Sequence, residues 1–397
     1  MILPPLLFLQ VIFLAQAHIN AVPAPRARYT VCMQSVFRER FRVAFAPPRY
    51  LSLPFSGIDI STSGIKAARI AIGTNGFTLD GYADARFPLG AYADGEIIDH
   101  AAIAEVIAST ATAAGISSAN VSLSESKSYL FETTAPGVGK AEWRTSVEQH
   151  LDELIPLPPM ETVFDIVKTG QEENGEVRIT GIGFARRIVD DTLSVFDQAN
   201  IKVHSLEEET FASSRALLPQ GDNSTVLIID IGRTTTKISI VVRQVPCFAT
   251  TIGIGGHALT LAVQKHFGVT ELEARRVKDE HGIVPAPGNE SYLEAMLSTV
   301  SAIRDEISHR LDYWQEKATS GGMHEPVTQA ILAGGNASVR GLPEYLESSL
   351  KIPVTAGDVF TNFASRDTWV PTLDYNESLA YATAIGLALR DSIHLYE

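Results

Sequence analysis

Residues 57–66 read Gly-Ile-Asp-Ile-Ser-Thr-Ser-Gly-Ile-Lys, and residues 228–237 read Ile-Ile-Asp-Ile-Gly-Arg-Thr-Thr-Thr-Lys. Each stretch is an apolar run reaching an Asp, then a turn of Gly, Ser and Thr, then a second apolar run, residues 65–72 in the first copy and 238–242 in the second. The pattern predicts a buried strand, a tight hairpin and a returning strand. Such a hairpin gathers backbone N–H groups and hydroxyls into one concavity that suits phosphate oxygens, and its Asp can hold Mg²⁺ through water. Two of them face to face would grip a triphosphate from both sides. One copy alone carries little, because Asp-x-Ser/Gly turns are common in ordinary hairpins.

A third segment joins them. Residues 330–342, Ala-Ile-Leu-Ala-Gly-Gly-Asn-Ala-Ser-Val-Arg-Gly-Leu, predict a strand that enters a Gly-Gly turn and then a helix over 342–350. Glycine lets the backbone come close to a flat ligand such as adenine. Two phosphate-type hairpins followed by this turn resemble the actin, Hsp70 and sugar-kinase ATPase superfamily. Local sequence narrows the resemblance: Ile254-Gly255-Gly256-His257-Ala258-Leu259-Thr260, residues 272–282, and Ala380-Tyr381-Ala382-Thr383-Ala384-Ile385-Gly386-Leu387-Ala388-Leu389-Arg390 are similar to the PilM family, the FtsA-like branch that serves type IV pilus assembly. The similarity spans about residues 33–390. It implies an α/β, actin-like (ribonuclease H-like) two-lobed ATPase fold with an inserted 1C subdomain of the FtsA/PilM (SHS2) type.

Composition agrees. The 397 residues are enough for two domains, and 45% apolar residues supply their cores. A net charge of −14 argues against nucleic-acid binding. Cys32 and Cys247 make no disulfide framework. Within the globular part no run of 18 apolar residues offers a membrane span.

The first residues read differently. Residues 1–17 are apolar and end Ala15-Gln16-Ala17, which imitates a signal-peptide cleavage site, yet they lack a basic start and contain Pro4, Pro5 and Gln10. A secreted ATP-binding fold would also meet no ATP. The expectation is that residues 1–32 lie outside the functional protein and that Met33 is the start. Residues 33–45 are basic and aromatic, and two readings stay open: an arm resting on an anionic membrane or a neighbouring subunit, or a solvated extension.

The expected organisation is an N-terminal extension over 1–54, a first lobe (1A) over 55–206 with subdomain 1C inserted at about 126–180, a second lobe over 207–390 (2A, with helical 2B at about 256–324), and a tail over 391–397. Residues 80–95 read as loops between edge strands and 101–114 as a helix. In the insertion, 131–134 and 162–167 read as strands and 140–154 as one helix, with 177–184 returning to the first lobe. Residues 289–317 read as a long helix whose stripe Met296, Val300, Ile303, Ile307, Leu311 packs a core.

Asp59 and Asp230 end buried strands, where a carboxylate is costly unless it meets a cation or donors. They are the candidate Mg²⁺ residues, acting through water; the alternative is an Asx turn satisfying its own hairpin. Lys66 stands where the first hairpin of actin-like proteins supplies a phosphate-binding lysine, or is a solvated strand residue. Ser61, Thr62, Ser63, Gly232, Thr234, Thr235 and Thr236 are the other candidate phosphate contacts, although β-propensity alone can explain three threonines. Gly255 and Gly256, and Gly334, Gly335 and Asn336 of the adenosine turn, complete the ATP site that the resemblance implies. Glu209, in Glu207-Glu208-Glu209-Thr210-Phe211-Ala212, is the candidate that orients the attacking water, the alternative being an acid placed at a helix N-terminus. Glu273 and Lys278 fall on a second-lobe helix, five residues apart, where the resemblance implies a Glu-Ala-Glu-x-x-Lys pattern whose second Glu and Lys approach the ribose; Lys278 is the candidate ribose contact.

Four positions depart from the family pattern: Arg275 in place of a second Glu, Arg233 after Gly232, Ser61 in place of Gly, and Asn336 in place of a third Gly. ATP binding with weak or absent hydrolysis is expected. The resemblance implies a cytoplasmic ATP-binding scaffold, peripheral to the inner membrane, that takes the cytoplasmic tail of a PilN-like inner-membrane protein in a groove between the first lobe and the insertion. Pilus ATPases and self-association are further partners it allows. The other readings are an FtsA-like cell-division protein, disfavoured by the short tail, and a small-molecule kinase, for which no substrate signature is evident beyond the Glu cluster.

Overall fold

The computed structural model describes residues 55–136, 139–170, 175–320 and 325–392. The expectations for residues 1–54, Met33 and the basic leader, and for the end of the tail, lie outside these residues. The first repeat folds as β1 (Phe55–Ser61) and β2 (Gly64–Gly73), and β3 (Gly76–Ala85) extends the antiparallel meander. A short ribbon, β4 (Tyr92–Ala93) with β5 (Glu96–Ile97), leads into α1 (His100–Ala114), whose first turn is capped by the Asp99 carboxylate. Strand β6 (Ser118–Leu123) then pairs parallel to β1.

The insertion follows as β7 (Ser128–Pro136), α2 (Lys140–Gln149), β8 (Thr162–Lys168) and β9 (Glu176–Ala185). The first lobe resumes with α3 (Arg186–Gln198) and β10 (Lys202–Glu208), giving the sheet order β10-β6-β1-β2-β3. After α4 (Glu209–Leu217), the second lobe repeats the plan with β11 (Thr225–Ile231), β12 (Thr236–Val242), β13 (Val245–Ile252), helices α5 (Gly256–Phe267), α6 (Glu271–His281) and α7 (Glu290–Thr319), β14 (Gln329–Ala333), α8 (Leu342–Leu350) and β15 (Val354–Ala356). Its order, β13-β12-β11-β14-β15, reproduces the first: a meander of three, then two parallel strands beyond the first strand. The duplication read in two hairpins therefore extends to whole lobes.

Helix α9 (Ala382–Leu389) is apolar except for Thr383, and every residue in it is buried. It lies against β1, β2, β6 and α4. The approach is close: a Cβ on Gly386 would stand 1.7 Å from the Ala212 carbonyl oxygen, and one on Gly57 2.0 Å from that of Ala384. Burial of side chains such as Ile385, Leu387 and Leu389 stabilises this junction by about 1.5–3 kcal/mol each.

Three expectations need correction. Residues 177–184 do not return to the first lobe. They form β9, the central strand of a separate sheet β7-β9-β8, because Val177 and Ile179 are fully buried, Ile179 in a core with Phe131, Val147 and Ile166. The inserted subdomain thus runs through Ala185, and β10 keeps Glu207 and Glu208 in the first lobe. Residues 80–85 are strand, held to β2 by pairing and by the Arg69–Asp80 ion pair at 2.9 Å. The helix expected over 140–154 breaks at His150 and resumes for one turn, Leu151–Leu154.

Candidate functional site

The two hairpins share one register. Asp59 stands opposite Lys66 across β1 and β2, and Asp230 stands opposite Lys237 across β11 and β12. Both central strands deliver their Asp to the same cleft between the lobes, which is lined by Asp59, Lys66, Asp230 and Lys237 together with Ser61, Thr62 and Ser63. The hairpin tips meet, with the Thr62 and Thr234 hydroxyls 2.7 Å apart. Ser61 and Ser63 share a hydrogen bond of 2.8 Å.

The cleft continues past Gly232, Arg233 and Thr235 to Gly256, Arg275, Lys278, Gly334, Gly335 and Asn336. Gly334 has φ +86°, and a Cβ there would lie 2.3 Å from Asp230 Oδ1, so the turn is open only to glycine. Asn336 is a structural hub. Its Nδ2 donates to Gly232 O at 2.9 Å and its Oδ1 accepts from the Lys278 ammonium at 2.6 Å. Burial holds Lys278 below its ordinary pKa, against the pull of Asp279.

Several residues of this region make contacts that the sequence did not predict. Thr236 is fully buried and its hydroxyl donates to Ile254 O at 2.7 Å, so it secures the hairpin to the next turn and does not offer itself to phosphate. Gly255 and Gly256 begin α5, whose first N–H groups are already taken: Gly256 donates to Gly232 O and His257 to Arg233 O. Glu273, the first acid of the family's pattern and not itself a candidate contact, is exposed and forms a capping box with Thr270 at the start of α6. Arg233 reaches toward Glu271, 3.7 Å away, along the wall of the second lobe.

Glu209 does not line the main cleft. It sits behind Asp230 and Lys237, only 2% exposed, where it pairs with the Lys237 ammonium and accepts the Glu125 N–H at 2.8 Å. Burial pushes its carboxyl up to about 7, Lys237 pulling down and Asp59 pushing up. Burial works against the charge on Lys237, but Glu209, Asp230 and Asp59 outweigh it and hold the ammonium above the ordinary lysine range. Burial likewise raises Asp230 and Glu125, the latter bonded to Thr251. Lys237 was not singled out in the sequence, although the repeat carries its signal: it is the counterpart of Lys66.

The chemistry of the lining is anionic recognition. Five Lys or Arg side chains line the cleft against three Asp, in a chain whose net charge is −14. Among the described residues no group of three or more metal-ligating side chains occurs. Two carboxylates are too few for a dry cation site but suit Mg²⁺, which keeps its waters and binds through one or two carboxylates plus ligand phosphates. Asp59 Oδ1, buried and without a hydrogen-bond partner, is a free acceptor for such a water.

Residues 57–392 match the family profile described as type IV pilus assembly protein PilM. Among solved structures, a PilM-PilN type IV pilus biogenesis complex matches with a TM-score of 0.69 at 20% identity, over 86% of this chain and 99% of that one. MreB5 of Spiroplasma citri bound to ADP matches with a TM-score of 0.51 at 14% identity, over 86% and 97%. These likenesses establish the actin-like two-lobed fold. No helix among the described residues is long and apolar enough to cross a membrane.

Proposed function

This chain belongs to the PilM family of type IV pilus assembly proteins, and on that premise we propose that it is an ATP-binding scaffold at the cytoplasmic face of the inner membrane. The observation that carries the nucleotide is the paired Asp–Lys register of the two hairpins around one cation-rich cleft. Lys66 and Lys237 would neutralise phosphate oxygens, Thr62, Ser63 and Thr235 would donate hydroxyls, and the Gly334–Gly335 turn would admit the base. Asp59 and Asp230 would hold Mg²⁺ through water; the ion, when bound, shields charge on the phosphates. Because Lys237 occupies the Glu209 carboxylate, hydrolysis is slow and ATP serves as a conformational ligand.

The partner reading rests on the groove between the first lobe and the insertion, a cavity of about 710 Å³ whose walls mix apolar residues such as Ile182 and Phe184 with charged ones such as Lys168 and Arg390. It takes the cytoplasmic tail of a PilN-like inner-membrane protein. The test is thermal unfolding. Mg-ATP at a hundredfold excess over its Kd should stabilise the chain by about 2.7 kcal/mol, and Asp230→Ala should remove most of that gain. A wild-type chain indifferent to millimolar Mg-ATP would sink the nucleotide reading.

A further inference from the structure

The cleft between the hairpins carries more positive charge than its own walls neutralise. Of its five cations, Lys237 pairs with Glu209, Lys278 stands 3.4 Å from Asp279, and Arg233 stands 3.7 Å from Glu271. Lys66 and Arg275 make no ion pair among the described residues. Lys66 belongs to a hairpin that would hold phosphate. Arg275 lies outside both hairpins.

The course of α6 places it. The helix begins beside the second hairpin, with Glu271 3.7 Å from Arg233 and 3.8 Å from His257. It reaches the glycine turn at Lys278, whose ammonium donates to Asn336 Oδ1 at 2.6 Å. Arg275 lies between, one turn after Glu271 and one before Lys278, so the three share a face of the helix. A nucleotide with its phosphates at the hairpins and its base at Gly334–Gly335 presents its ribose to the middle of that course. The two carboxylates at helical spacing from Arg275 are engaged elsewhere, Glu271 with Arg233 and His257, Asp279 with Lys278. What Arg275 meets is a like charge: its guanidinium adds to the burial that lowers Lys278, against the pull of Asp279.

A guanidinium has donors and no acceptor, so it cannot take the hydrogen bond of a ribose hydroxyl as a carboxylate would. Its planar fork matches a phosphate through two parallel bonds. We infer that the cleft takes a nucleotide phosphorylated on its ribose, with Arg275 holding that phosphate, Lys278 adding its charge beside it, and Lys66 serving the phosphates at the hairpins. This rests on the nucleotide reading above and names the class of nucleotide. The departure at Arg275 from the family pattern then exchanges recognition of a free ribose for recognition of a charged one.

Isothermal titration of the full chain with AMP, adenosine 2′,5′-bisphosphate, adenosine 3′,5′-bisphosphate and Mg-ATP tests this, because the first three share a 5′-phosphate and differ only on the ribose. One bisphosphate should bind about tenfold tighter than AMP, the order of effect of a charge-assisted hydrogen bond, and which one does so assigns the ribose position. Arg275→Glu and the milder Arg275→Gln should erase the preference and keep Mg-ATP, which also shows that the variants fold. Arg276→Glu makes the same charge change at an exposed neighbour that does not line the cleft, and should keep the preference. The proposal is overturned, with ATP binding intact, by bisphosphates no tighter than AMP in a chain that binds Mg-ATP, by a preference that survives both Arg275 variants, or by an equal loss in Arg276→Glu. Mg-ATP lost along with the preference in Arg275→Gln would also overturn it, by making Arg275 a general phosphate contact. A wild-type chain that binds none of the four would remove the nucleotide reading itself.

Discussion

Glu209, the first residue of the helix leaving the first lobe, forms a buried ion pair with Lys237 from the hairpin of the second. The pair closes a short circuit between lobes, because Lys237 also stands opposite Asp230, and Glu209 also holds the N–H of Glu125, whose carboxylate reaches Thr251.

Removing one member should therefore cost more than removing both. Lys237→Met leaves the buried Glu209 and the half-buried Asp230 without their cation and should destabilise by about 3–5 kcal/mol. Adding Glu209→Gln should recover at least a third of that loss. Chemical denaturation of the single and double variants measures the coupling, and simple additivity would show that the pair is energetically idle.

Glu209 also predicts a pH dependence. Its carboxyl titrates at about 7 in the fold against 4.5 as the ordinary value, because burial disfavours the charge. A raised acid binds its proton more tightly in the folded state, so its contribution is complete below pH 4.5 and is lost as pH rises through 7. Glu209→Gln should flatten the fall in stability between those limits by a few kcal/mol, since each pH unit crossed between the two values is worth on the order of 1.4 kcal/mol. Melting temperatures of both proteins from pH 4.5 to 8 test this; parallel curves would refute it.

Adjacent threonines of the second hairpin should separate binding from stability. Thr236→Val leaves Ile254 O without its donor and should cost about 1 kcal/mol in unfolding, with Mg-ATP affinity unchanged. Thr235→Val, at the cleft surface, should weaken Mg-ATP several-fold with little effect on unfolding. Isothermal titration beside denaturation distinguishes them, and a reversed pattern would exchange their roles.

The repeat was legible because its signal is local: an apolar strand ending in Asp, a turn of Gly, Ser and Thr and a second apolar run define the hairpin without tertiary information. Read twice, it predicts the duplicated lobes and places Asp59, Lys66 and Asp230 at one cleft. What escaped the sequence depends on partners far along the chain. Thr236 looks like its neighbours until Ile254 is seen beneath its hydroxyl. Strand β9 reads as the first lobe's own until β7 and β8 pair with it on both sides. The identity of Lys237 as an inter-lobe ion required Glu209 to arrive from a different element.

The C-terminal helix sets an order of events in synthesis. Gly57 lies against the Ala384 carbonyl, and the helix that covers β1 and β2 is the last regular element of the described chain. At the roughly 5–20 residues per second of translation, the first-lobe sheet waits on the order of half a minute for that cover. During that interval the apolar face meant for Ile385 to Leu389 stands open to solvent. A ribosome stall late in the message would therefore release a chain whose earliest strands are still uncovered.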